Sequence, residues 1–271
     1  MTHTYPSITR RSVLTTVAAG SLTVAGCSES RAPATTGAGA ITEVRVDDTT
    51  LVVEYDADTS ATGLAVIAPS GEAFAERELT PGASQESIPI GTTYPPGTYT
   101  VQLVDADSVV AAVERSLRPE VVIRELKLAR NHPEEMYEGA TNQVVRTETM
   151  LHVENQGSGP EKLVQLRFDG YVPRPTPEQS DDSGIVVVDD QPEFHTEPVI
   201  DPGTSVELYS REFPFSSSSQ EASCEPNGSD GQFTVTLVGS VSGDSTQQTY
   251  EVTYEGEDLL TCDISIQEGE L

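Results

Sequence analysis

Pro95-Pro96-Gly97-Thr98-Tyr99-Thr100-Val101-Gln102-Leu103 is the stretch that decides the fold. Tyr99, Val101 and Leu103 fall on one face, Thr98, Thr100 and Gln102 on the other, and a Pro-Pro-Gly turn stands in front. A period of two belongs to a half-buried strand, because successive side chains point to opposite faces of a sheet. Working outward, Leu51, Val53 and Tyr55 alternate with Val52 and Glu54, and residues 63–68 form an apolar run closed by Pro69-Ser70-Gly71. Residues 41–118 thus hold about seven strands, the length of one small sandwich.

Arg118-Pro119 marks the expected boundary to a second domain, residues 119–271. There, residues 121–129 read as a strand and 133–139 as a loop. A long strand is expected next, with Val145, Thr147, Thr149, Leu151 and Val153 on one face and Arg146, Glu148, His152 and Glu154 on the other. Asn155-Gln156-Gly157-Ser158-Gly159 turns the chain into residues 163–168. Three further alternating runs follow, at Val206 and Leu208, at Phe233, Val235 and Leu237, and at Tyr250, Val252 and Tyr254. Residues 173–198 read as a Pro- and Asp-rich insertion, and 257–271 as a tail. Helical periodicity is absent over any useful length, which argues against an α/β scaffold. The expected class is all-β, two immunoglobulin-like β-sandwich domains in tandem.

Residues 95–101 resemble the penultimate strand of immunoglobulin-like and fibronectin-type domains. The second half resembles the CARDB-type adhesion-related sandwich, through the Asn-x-Gly turn at 155–157, Pro202-Gly203 ahead of a strand, and the two closing strands. That likeness covers most of residues 120–256 and is one of pattern. The chain has no Trp, and its cysteines do not occupy the inter-sheet positions of true immunoglobulin domains.

The first residues carry an address. Arg10-Arg11 precedes an apolar stretch, 12–26, that ends in Val24-Ala25-Gly26-Cys27. A spanning helix needs roughly 20 apolar residues, and this stretch is shorter and diluted by Ser, Thr and Gly. The pattern resembles a twin-arginine export signal with a lipobox. The resemblance implies cleavage before Cys27 and a diacylglycerol-type lipid on its sulfur, holding the protein at the outer face of the cell membrane. Two acyl chains suit stable attachment, each buried methylene contributing about 0.8 kcal/mol. Residues 27–40, rich in Ser, Ala, Gly and Thr, read as a flexible tether.

Composition limits the partners. There are 44 acids against 15 Lys plus Arg, and removing residues 1–26 takes away Arg10 and Arg11 and no acid, lowering the formal charge from −29 to −31. Lys127 and Lys162 are the only lysines. Nucleic acid is excluded as a partner, since phosphate neutralisation needs clustered cations. Such acid-rich, lysine-poor surfaces resemble those of proteins from extremely salty environments, notably haloarchaea. At about 1 M salt the Debye length is near 3 Å, so repulsion between surface carboxylates is largely screened.

With Cys27 assigned to lipid, Cys224 and Cys262 remain, and an exported protein favours pairing them. They lack CxxC spacing and a neighbouring His, as a redox or metal pair would need. His132, His152 and His195 show no spacing that converges on one metal. Asp181-Asp182 and Asp189-Asp190 bracket residues 185–188 and form a weak calcium candidate, without the Asp-x-Asp-x-Asp-Gly loop. Serine elbows and phosphate loops are missing, so no cofactor is implied. Asn227-Gly228-Ser229 reads both as a glycosylation sequon and as a turn. The expected function is a non-enzymatic, lipid-anchored ectodomain in adhesion, surface-layer organisation or protein–protein interaction, its partner an unknown surface protein or glycan. The alternative is a calcium- or carbohydrate-binding module of a surface transport or sugar-handling system.

Overall fold

Tyr99, Val101 and Leu103 are closed off from solvent, while Thr98, Thr100 and Gln102 stay at least partly in contact with it. The computed structural model describes residues 39–106, 108–178, 180, 182–188, 194–211, 213–216, 222, 224–258 and 261–269. Seven strands run to Leu117: β1 Ile41–Asp47, β2 Thr50–Tyr55, β3 Gly63–Ile67, β4 Ala73–Glu78, β5 Gln85–Pro89, β6 Gly97–Asp105 and β7 Ser108–Leu117. They form two antiparallel sheets, ordered β1-β2-β5 and β4-β3-β6-β7. Leu51, Val53, Leu64, Val66, Ile88 and the buried face of β6 make their shared core. Each such side chain contributes roughly 1.5–3 kcal/mol relative to exposure.

Ten strands follow: β8 Val121–Leu128, β9 Thr149–Asn155, β10 Glu161–Gly170, β11 Ile185–Val188, β12 Phe194–His195, β13 Val199–Ile200, β14 Ser205–Ser210, β15 Ser229–Gly239, β16 Ser245–Glu255 and β17 Asp263–Glu268. Their two antiparallel sheets are ordered β12-β11-β14-β9-β8 and β13-β10-β15-β16-β17. Between them lies a second core that includes Leu151, Val153, Leu166, Phe168, Leu208, Phe233, Val235 and Tyr254. The chain is therefore all-β, two sandwiches in tandem.

Three stretches differ from their sequence reading. Val145, Arg146 and Thr147 are helical, in α1 Asn142–Thr147, and the strand begins only at Thr149. Thr141 caps the helix by accepting from Val144 N at 3.4 Å, and the Thr147 hydroxyl donates back to Gln143 O at 2.9 Å. Those local bonds outweigh the β preference of the Val-Val-Arg-Thr run. Within the 173–198 stretch, β11 is an interior strand, hydrogen-bonded on one side to β12 and on the other to β14, with Ile185 fully buried. The 257–271 stretch adds β17 to the edge of its sheet, pairing Tyr254 with Ile264 and Val252 with Ile266. Cys224 and Cys262 are joined by a disulfide that fixes the start of this strand.

Residues 129–148 form a third layer. They leave β8 in two 3-10 turns, Ala129–Asn131 and Pro133–Glu135, pass through α1, and return to β9. This flap covers the outer face of one sheet, where the register sets Val186 opposite Tyr209 and Tyr209 opposite Met150. Met136 and Tyr137 pack on that row, the Tyr137 and Tyr209 rings meeting edge-on at 4.9 Å.

Candidate functional site

The two sandwiches meet at a junction built around one asparagine. Asn155 ends β9 fully buried, and its side chain uses all its capacity. Oδ1 accepts from Glu120 N and Gly157 N at 3.0 Å each, and Nδ2 donates to Gly159 O and Ile200 O at 2.9 Å each. Ser158 N then donates to Arg118 O at 2.7 Å, while Arg118 N donates to Ser158 Oγ at 3.2 Å. The 155–159 turn is thereby clasped to the segment joining the sandwiches.

Both glycines of that turn are sterically required. A Cβ on Gly157 would sit 2.2 Å from Arg118 O, and one on Gly159 would sit 2.1 Å from the Tyr94 hydroxyl. Tyr94, buried in the first sandwich, donates to Pro160 O at 3.0 Å, so the first core reaches directly into the second sandwich.

Glu161 completes the junction and was not visible in the sequence as anything but another surface acid. It is fully buried at the start of β10. Its carboxylate accepts from Lys162 N at 2.9 Å, Val241 N at 2.8 Å and Ser242 N at 3.0 Å. That fixes the turn between β15 and β16, whose Val241 packs into the core of the first sandwich. Charge-assisted bonds from backbone N–H groups are what make burial of this carboxylate tolerable. A cleft of about 190 Å³ opens beside it, lined by Glu120, Glu161, Ser242, Asp244 and Thr246 among others. Across the junction Asp48 hydrogen-bonds Asp201, whose pKa rises through burial first and then through the neighbouring charges of Asp48 and Asp47.

The flap holds a different kind of carboxyl. Glu148 is 5% exposed, and its Oε2 has no hydrogen-bond partner. Burial pushes its pKa from 4.5 up to about 7. Tyr137 is pushed up to about 12, mainly by its own burial and then by Glu148 and Tyr209. Glu148 was expected on the polar face of a strand; the helix ahead of it turns it inward instead. Arg130 staples the flap down, donating through Nε to Arg146 O at 3.0 Å and through Nη1 to Cys262 O at 3.1 Å. Burial lowers its pKa, but as a guanidinium it stays charged at the C-terminal end of α1, where a cation is favoured.

The residues singled out in the sequence lie apart from one another. His152 is half-exposed on β9 and faces Glu207 at 3.8 Å, not Glu148. His132 faces Glu135 at 3.1 Å, which Lys127 also holds at 2.7 Å. His132, Glu134 and Glu135 form one His/Glu group among the described residues, already met by that ammonium. His195 supplies backbone to β12 opposite Val187. Asp182 accepts from Gly184 N at 3.1 Å and faces Arg211 at 3.5 Å, so protein groups occupy it. Asp181, Asp189 and Asp190 lie outside the described residues, as do Arg10, Arg11, Val24, Ala25, Gly26 and Cys27. Asn227 is exposed at a turn closed by Gly228 N donating to Glu225 O at 2.9 Å.

By its geometry the chain is a tandem β-sandwich protein with a clasped junction. No family model matches it, and no curated protein is similar to it in sequence. Among solved structures it is similar to a glycosyl hydrolase family 2 member from Bacteroides cellulosilyticus, at 10% identity and a TM-score of 0.23, over 78% of this chain and 24% of that one. It is similar also to a two fibronectin type III domain segment from chicken tenascin, at 11% identity and a TM-score of 0.24, over 84% of this chain and 96% of that one. A β-glucuronidase from glycoside hydrolase family 2 gives 9% identity and a TM-score of 0.23, over 78% and 20%. The chain spans about a quarter or less of the length of these hydrolases.

Proposed function

We propose that this protein is a lipid-anchored ectodomain at the outer cell surface that works by binding rather than by catalysis, in adhesion, surface-layer organisation or protein–protein interaction. The observation that carries the reading is the junction. Asn155, Glu161, Tyr94 and two obligatory glycines clasp the sandwiches together through buried bonds. A tandem already held in one arrangement gives up little reorientation entropy when it docks, which favours a binding role. The signal at Arg10-Arg11 and the lipid on Cys27 supply the location, and the 27–40 tether gives reach above the membrane.

The test is expression of the full chain, and of Cys27→Ser, in a host that uses the twin-arginine route. Surface biotinylation of intact cells followed by fractionation should place the native protein in the membrane, labelled from outside. Crosslinking on the same cells should then give discrete adducts with surface proteins. Recovery of the native chain from the cytoplasm, or from the membrane fraction equally with and without Cys27, would refute the reading.

A further inference from the structure

Of the four asparagines in the chain, Asn227 alone heads an Asn-x-Ser/Thr sequence, Asn227-Gly228-Ser229, with no proline in the middle position. Neither the junction nor the flap uses it. Asn131 donates to Ile264 O at 2.9 Å, Asn155 is consumed in the junction, and Asn142 opens α1 ahead of Gln143-Val144.

The fold presents Asn227 to solvent on a fixed turn. Glu225 O accepts from Gly228 N at 2.9 Å and from Gly256 N at 3.1 Å, which closes the turn and ties it to the end of β16. Glu225 also bridges to Glu255, and the disulfide from Cys224 to Cys262 holds the residue before it. Gly228 takes a φ of +80°, a left-handed value that glycine adopts without strain. Pro226 and Asn227 are both exposed, and no hydrogen bond engages the Asn227 amide among the described residues. Ser229 opens β15, its hydroxyl accepting from the Tyr171 hydroxyl at 3.2 Å. Local opening at the end of an element costs far less than global unfolding, so that hydroxyl can be read together with Asn227.

The position leaves room for a bulky group. β15 runs from Ser229 to Gly239, roughly 33 Å, and its far end meets the junction, where Val241 enters the first core. Asn227 therefore stands at the end of the second sandwich remote from the first. β1 starts at Ile41 and reaches the junction only past its other end, where Asp48 hydrogen-bonds Asp201. Residues 27–40 thus join at one pole and Asn227 stands at the other, so a group on Asn227 obstructs neither the clasp nor the attachment.

We propose that the Asn227 side-chain amide accepts an N-linked glycan, transferred outside the cell from a lipid-linked glycosyl phosphate. A bond forms between Nδ2 and the sugar C1 as the C1–O bond to phosphate breaks. The lipid phosphate leaves with the bonding pair, one Nδ2 proton passes to solvent, and nothing is oxidised or reduced. The flexible 27–40 segment lets the tandem lie along the membrane, within reach of a donor held there. The inference rests on the surface reading for export alone, and not on the lipid at Cys27.

The experiment expresses the full chain in a twin-arginine host that glycosylates its own surface proteins. Intact cells are biotinylated, and the labelled chain is reduced, digested with a glutamyl protease and read by tandem mass spectrometry. Sugar residues on Asn227 of the native chain are expected. They should be absent from Asn227→Gln and Ser229→Ala and present in Ser229→Thr, which keeps the hydroxyl. The melting temperature of Asn227→Gln, with its sugar gone, should match that of enzymatically deglycosylated native chain, which separates loss of the acceptor from misfolding. An externally labelled native chain with Asn227 unmodified, or converted only to aspartate, overturns this inference and leaves the surface reading standing. Sugar retained on Asn227 in Ser229→Ala overturns the transfer as written, and a native chain with no external label overturns both readings.

Discussion

Replacing Glu148 by Gln should remove a pH dependence that this one carboxyl imposes on the whole fold. In the folded protein it titrates near 7, against 4.5 when solvated, because its buried Oε2 has no partner. The folded state therefore holds its proton more tightly than the unfolded state. The stabilisation is complete below about pH 4.5, declines as pH rises, and is gone above pH 7. At about 1.4 kcal/mol for each pH unit, the difference amounts to roughly 3 kcal/mol across that window. The assay is chemical denaturation from pH 4.5 to 8 in concentrated potassium chloride, where repulsion among the remaining carboxylates is screened. The wild-type free energy should fall by a few kcal/mol relative to Glu148→Gln as pH rises, and hydrogen exchange should quicken first in residues 129–148. Parallel curves for the two proteins would refute the reasoning, since an identical slope means the carboxyl reaches water or finds a partner.

Other outcomes follow from the junction and the disulfide. Asn155→Ala should cost about 3 kcal/mol in denaturation, because four backbone groups, two of them buried, lose their partner at once. Reducing Cys224–Cys262, which closes a loop of 38 residues, should lower stability by up to about 4 kcal/mol on the chain-entropy view; two free thiols with an unchanged melting point would reject that. Asp201→Asn should raise the melting temperature at low salt by removing a partly buried charge and its repulsion with Asp48 and Asp47, and the gain should shrink in concentrated salt, which screens the repulsion alone; an undiminished gain would show that the neighbouring charges contribute nothing.

Most of the fold was legible because one face of each strand meets a core. The alternation of Tyr99, Val101 and Leu103 needed no tertiary information, and neither did Phe233, Val235 and Leu237. What misled was burial arising from elsewhere in the chain. Val145–Thr147 carry β-prone side chains, yet a threonine cap and the flap's packing make them helical, and so Glu148 turns inward. The Ile-Val-Val-Val run of β11 shows no alternation because both of its faces are covered, one by the core and one by the flap. Glu161 could not be told from the other acids, since its partners are backbone groups of a turn eighty residues onward. Asn155 stood out as a turn former, and the same local geometry makes it the centre of the junction.

The measurement that bears most directly on the proposed surface anchoring is the intact mass of the chain extracted from membranes of an expressing host. A polypeptide beginning at Cys27 and carrying the added mass of a two-chain glyceride is the predicted result. A chain that retains residues 1–26, or one that starts at Cys27 with an unmodified thiol, would contradict it.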